Sequence, residues 1–168
     1  MTPKKISVIV LIMFCMPLIF AENVEKINLK NLEGDWEGVG FFLVPVMGTN
    51  VKIAGSANFV YDDITKQLRT ELKGKKLFFK YSDSGYLAID EITDSVSWEV
   101  WDNSGKHALY HGIAEGNKLK GERYRKDDLY EVSIEQVTMD SIDFKLTITK
   151  PNGKSFNKAV FNLWRSVE

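Results

Sequence analysis

Cysteine is almost absent: Cys15 is the only one in 168 residues. It sits in an apolar N-terminal run, after Phe14 rather than the small residue that would precede a lipidated cysteine. Once that run is removed, neither a disulfide nor thiolate chemistry remains available. A cysteine-free exported domain is typical of bacteria and points to the periplasm or to secretion. Histidine is nearly absent too, with only His107 and His111. Four residues apart on a strand, they would stand about 13 Å from each other, too far to share one ion. No metal site and no cofactor is expected. The chain also lacks a glycine-rich phosphate loop and a nucleophile-base-acid set, so an enzyme is not expected. No block of Lys and Arg is present, which argues against nucleic acid as a partner. Solenoid repeats, low-complexity tracts and helical periodicity after Trp36 are all missing.

At the N-terminus, Lys4 and Lys5 precede an apolar stretch from Ile6 to Phe20, interrupted only by Ser7 and Pro17; Ala21 then leads into Glu22-Asn23. This layout predicts a secretory signal peptide over residues 1–21. The rival reading is an uncleaved anchor, although the run is short of the roughly 20 apolar residues of a membrane span. Residues 22–168 would form one domain. Loss of Lys4 and Lys5 leaves 20 basic against 23 acidic residues, a net charge of −3. Residues 22–32 read as a lead-in that covers one end of the fold.

From Trp36 onward the hydrophobic period is two. The first strand runs from Asp35 to about Met47 and the second from Val51 to Tyr61. Turns are expected at Gly48–Asn50, Asp62–Lys66, Ser82–Gly85, Thr93–Ser95 and Asn103–Gly105, and Gly74-Lys75 is expected to kink or reverse the chain. Three tight hairpins allow residues to be paired across strands. Gly116-Asn117 pairs Ala114 with Leu119 and His111 with Glu122. Lys126-Asp127 pairs Arg123 with Tyr130. A type I′ turn at Asn152-Gly153 pairs Leu146 with Ala159, Phe144 with Phe161 and Ile142 with Leu163. These registers set apolar against apolar and charge against charge. The expected fold is an all-β, antiparallel, up-and-down β-barrel of about ten strands. Outward positions carry many Lys and Glu, unlike the apolar band of a membrane barrel.

Leu32-Glu33-Gly34-Asp35-Trp36-Glu37-Gly38-Val39-Gly40 opens this meander, and Arg165 lies near its end. Gly34-Asp35-Trp36 with a terminal arginine resembles the calycin superfamily of lipocalin-like, fatty-acid-binding-like and nitrobindin-like barrels. The resemblance covers Leu32 to Arg165. It implies that Trp36 plugs one barrel end beneath Arg165. The haem-binding members of the nitrobindin type use a histidine near the C-terminal end; this chain has none after His111, so haem is not implied.

By parity, Tyr110, Gly112, Gly121, Arg123 and Tyr130 face inward. Arg123 and Tyr130 form a candidate anchor for a carboxylate or other anion, and Tyr110 stands beside them. The alternative is an internal ion pair or a rim position, with Asp128 or Asp90 as counterion for Arg123 or Arg125. Phe59, Phe79, Tyr81, Trp98 and Phe144 would line the rest of a cavity that holds a small hydrophobic or amphipathic molecule. Inward small residues, Gly38 and Gly40 among them, would keep the interior open. Phe41, Leu43, Val160 and Trp164 would form an outer apolar patch, covered by the lead-in or serving as a homodimer or protein-partner surface. A filled core with that patch exposed would instead define an interaction or structural module.

Overall fold

The computed structural model describes residues 26–44, 48–76 and 79–166. The expected signal peptide, Cys15 and residues 45–47 lie outside the described residues. Ten strands alternate in direction: β1 (Gly34–Val44), β2 (Thr49–Asp62), β3 (Gln67–Lys76), β4 (Phe79–Ile89), β5 (Ser95–Asp102), β6 (His107–Glu115), β7 (Lys118–Arg125), β8 (Asp128–Thr138), β9 (Ser141–Thr149) and β10 (Ser155–Arg165). Each pairs with its sequence neighbour, and β1 pairs with β10 from Trp36–Arg165 to Phe42–Ala159, so the sheet closes into a barrel. Closure removes both edges of a long antiparallel sheet. The even count follows from Ser82–Gly85, expected as a turn but lying inside β4. Tyr81, Asp83, Gly85 and Leu87 continue one inward row there. Gly85 is needed because a Cβ would stand 2.0 Å from the carbonyl oxygen of Glu99.

The three hairpin registers are those expected. The last one arises differently. Asn152 does not have a positive φ, Gly153 has φ 79°, and Lys150 pairs with Lys154 through Lys150 N to Lys154 O at 2.9 Å. This is a three-residue loop, not a two-residue type I′ turn. The residue added in the loop is returned in β10, where the register shifts between Asn157 and Ala159. Lys158 is the extra residue of that β-bulge.

One end of the barrel is sealed. A short 3-10 turn, Leu29–Leu32, is capped by the Asn28 side chain and buries Leu29 and Leu32, with Ile27 beside them. Trp36 is fully buried and donates from Nε1 to the Leu32 carbonyl at 2.9 Å. Arg165 lies over the Trp36 ring at 4.4 Å. Its guanidinium donates to the carbonyls of Asn31 at 2.8 Å and Met139 at 3.2 Å, and also to that of Glu33. Residues 27–32 therefore plug this end and do not cover the patch on β1 and β10.

Above the plug the interior is filled. The inward glycines do not leave it open. A Cβ on Gly40 would lie 2.4 Å from the Phe161 ring, and one on Gly55 2.5 Å. The space they vacate is occupied by Phe161, which also meets Phe144 at a ring separation of 6.2 Å. Gly38 lets β1 approach β10, since its Cβ would stand 2.0 Å from the Asn162 carbonyl. Among the described residues, a gap of about 10 Å³ lies between Leu72, Tyr81, Phe144, Phe161 and Leu163, with Ser56 and Lys73 beside it. That is room for about one water.

Candidate functional site

The barrel is open at the end opposite Trp36. A pocket of about 330 Å³ lies there, walled by Val100, Ala108 and Leu146, by Tyr81, Tyr110 and Tyr130, and by charged groups. Its size is at the lower limit for small-molecule sites.

Arg123 is the centre of this pocket. The Lys126-Asp127 turn sets Arg123 opposite Tyr130, and alternation along β7 turns its side chain inward. Tyr110 stands on β6, one residue past the last β6–β7 pair, His111–Glu122. The guanidinium carbon lies 5.0 Å from the ring centre of Tyr110 and 5.0 Å from that of Tyr130. Two aromatic faces thus hold the cation by its weakly hydrated plane, which a Lys could not match. Among the described residues, neither Arg123 nor Arg125 forms a salt bridge. Asp128 instead pairs with Lys150 at 2.5 Å, and Asp90 accepts from the backbone of Ile92 and Thr93. Arg123 Nε is buried without a hydrogen-bond partner.

Two further groups were hidden from the sequence reading. Asp83 points inward from β4, and its Oδ2 accepts from the Tyr81 hydroxyl. Its Oδ1 is buried without a partner. Burial pushes the Asp83 carboxyl up to about 6, with Asp102 adding to the rise, while the Tyr81 hydrogen bond, Lys158 and Arg123 oppose it. Burial, reinforced by Asp83, raises the Tyr81 phenol well above its ordinary value. Burial also raises Tyr110, against the pull of Arg123. Lys158, the bulge residue, reaches the same pocket. Burial lowers its ammonium pKa; Arg123 and Arg125 push the same way, and Asp83 and Asp102 resist. A plain alternation signal through Tyr81, Asp83, Gly85 and Leu87 could have exposed Asp83. No sequence signal marks the bulge.

Lys106, Arg123, Arg125 and Lys158 line the pocket with only Asp83 and Asp102 as acids. Asp102 is engaged by its own turn, accepting from Ser104 and Lys106, and these bonds lower its pKa. The mouth therefore favours an anion whose body can lie against tyrosine rings and short aliphatic side chains.

Other candidate residues fall elsewhere. Phe59, Trp98 and Phe144 belong to the filled layer and do not wall the mouth pocket. Trp98 donates to Thr70 Oγ1 at 3.3 Å and meets Phe144 edge-on at 6.1 Å. Position 79 is in β4, and its side chain lies outside the described set. His107 stands at the rim of the mouth pocket, 2.7 Å from Glu99 Oε1, and His111 is exposed. A larger depression of about 620 Å³ lies on the outer wall, among Ile113, Lys120, Glu122, Glu131 and Lys145. Its lysines and glutamates are solvated or paired across strands, as Lys118 is with Glu135 at 2.8 Å, so it has no unpaired buried group to recognise a ligand. Phe41 and Trp164 are 50% and 52% exposed on adjacent strands, with Val160 opposite Phe41 and Leu43 half-buried nearby. Among the described residues no cluster of three His, Cys, Asp or Glu could hold a metal, and no helix is long and apolar enough to cross a membrane.

No family model and no curated protein matches the chain. Solved structures do. Rv2717c from Mycobacterium tuberculosis is 15% identical, with a TM-score of 0.61 over 83% of this chain and 95% of its own. A protein of unknown function from the DUF3598 family of Nostoc punctiforme is 10% identical, with a TM-score of 0.58 over 84% of this chain. The chain spans 50% of the length of that Nostoc protein. At these identities the likeness is one of fold. The closed ten-stranded meander and these neighbours fit a calycin-like barrel.

Proposed function

We propose that this chain is an exported, non-enzymatic binding protein that holds a small amphipathic anion, such as a carboxylate, in the barrel mouth. Arg123 carries the reading: a half-buried arginine whose guanidinium is clasped by Tyr110 and Tyr130, with no carboxylate partner and a buried Nε that lacks one too. A buried charge left unpaired is costly, and an anionic ligand removes that cost. Arg125, Lys106 and Lys158 add to the attraction. Export follows from the signal-peptide layout of residues 1–21. The ligand sits at the mouth and not deep within, because the layer beneath is filled.

Calorimetric titration with octanoate and 4-methylbenzoate, against the corresponding neutral amides, tests this. Arg123→Ala should weaken the acids about tenfold or more, in line with roughly 1.5–3 kcal/mol for a hydrogen bond to a charged group. The amides should change little. Equal losses for acids and amides would sink the assignment.

A second reading is an interaction module that uses the outer face of β1 and β10. It is favoured by the adjoining exposure of Val39, Phe41 and Trp164. Under it, sedimentation velocity should show a dimer that Phe41→Ser with Trp164→Ser returns to monomer, with 4-methylbenzoate affinity unchanged. A monomer at every concentration removes the homodimer.

A further inference from the structure

We propose that Lys158 is a nucleophilic amine that captures the carbonyl carbon of an anionic aldehyde or ketone held by Arg123, forming an imine. The inference rests on the anion-binding reading of the mouth and names a narrower ligand class for it.

Its first support is the bulge. Strict alternation would leave position 158 on the outer face, between Asn157 and Ala159. The register shift makes Lys158 an additional residue, and bulges commonly re-aim a side chain in this way. The amine thereby joins the pocket wall with Tyr81, Asp83 and Arg123. Secondly, of the two lysines that line the pocket, Lys106 is exposed, whereas Lys158 is only partly exposed and forms no ion pair among the described residues. The groups that face it are Asp83 from β4, Asp102 from β5, and Arg123 and Arg125 from β7. Burial and the two arginines lower its ammonium pKa against the pull of the two carboxyls, which raises the share of the amine with a lone pair to donate.

The chemistry closes without an oxidant or reductant. The nitrogen lone pair of Lys158 attacks the carbonyl carbon, and the C=O π pair moves to oxygen. A proton passes from nitrogen to that oxygen, giving a carbinolamine. After a second proton reaches the hydroxyl, it leaves as water while the remaining nitrogen lone pair closes the C=N bond. Asp83 shares the pocket, and burial pushes its carboxyl up to about 6, which suits it to give that second proton as the neutral acid and, as the carboxylate then formed, to take the remaining N–H proton and leave the neutral imine. Arg123 holds the anionic end of the ligand, so capture is directed rather than random.

The test is reductive trapping on the full chain. The protein is incubated with 4-carboxybenzaldehyde and cyanoborohydride, and modified lysines are mapped by peptide mass spectrometry over time. Lys158 should be modified about tenfold faster than exposed Lys154. Lys158→Arg should lose the fast phase, and Arg123→Ala should slow it. Labelling of Lys158 no faster than Lys154, or a fast phase that survives in Lys158→Arg, overturns the inference. If 4-methylbenzoate binds saturably while Lys158 is not favoured, the imine falls and the anion reading stands. If Lys158 reacts equally fast with benzaldehyde, the nucleophile stands and the restriction to anionic ligands falls.

Discussion

Phe161→Ala should lower the unfolding free energy by about 3–5 kcal/mol, the range for removing a buried aromatic ring. Three inward glycines, Gly40, Gly55 and Gly74, surround this ring. Each belongs to a strand held on both sides by ladder hydrogen bonds. A glycine has no side chain to swing into the hole, and its backbone cannot follow without breaking the ladder. The cavity should therefore stay open, which places the cost in the upper part of the range. Urea unfolding of wild type and variant measures the effect from the midpoint and slope. A loss below about 1.5 kcal/mol would mean that the site collapses and that the glycines are not a rigid frame.

Asp83→Asn should stabilise the protein at pH 8 and leave it unchanged at pH 4. The Asp83 carboxyl rises from 3.8 in the free group to about 6 in the fold. Between those values the native state keeps a proton that the unfolded chain has released. Wild-type stability therefore falls as pH rises through this window, and the cost persists at higher pH. A shift of this size corresponds to about 3 kcal/mol, and partial solvent access brings the expected gain to about 2 kcal/mol. Asparagine retains an oxygen to accept from Tyr81, so the neighbouring hydrogen bond need not be lost. Urea midpoints at intervals from pH 4 to pH 8 provide the readout. Parallel curves for the two proteins would show that Asp83 is not ionised against burial.

Asp83, Lys158 and Arg123 come from β4, β10 and β7, far apart in the chain, and converge on the mouth pocket. Under the proposed function, a carboxyl raised by burial and an amine lowered by burial stand beside a clasped guanidinium for the sake of a charged ligand, at a cost to stability. The closed end shows the opposite economy. Arg165 there satisfies three backbone carbonyls and stacks on Trp36.

Much of this was legible in the sequence because strand parity is a local property. Alternation assigned Trp36, Trp98, Tyr110, Arg123 and Tyr130 to the inside and Phe41 and Trp164 to the outside, and short turns set which residue opposes which. The misreadings have local causes too. Ser82-Asp83-Ser84-Gly85 has the composition of a turn, yet the hydrogen-bonding partners on β3 and β5 keep it extended. Asn152-Gly153 suggests a two-residue turn, but Pro151 joins the loop and the bulge at Lys158 restores the register. The longer loop and the bulge offset each other, so Phe144 still faces Phe161 while Lys158 is turned from the outer face into the pocket wall.

The sequence by itself determined the β period, the hairpin registers, the inward Arg123–Tyr130 pair and the Trp36 opening of the first strand, because each depends on residues close together in the chain. Only the tertiary structure decided that the glycines serve Phe161 rather than an open cavity, that the lead-in seals the Trp36 end, and that Asp83 and Lys158 meet Arg123 at the mouth. Those outcomes depend on which surfaces remain when ten strands close on one another. Volume and burial are shared among strands distant in sequence, and no local pattern carries them.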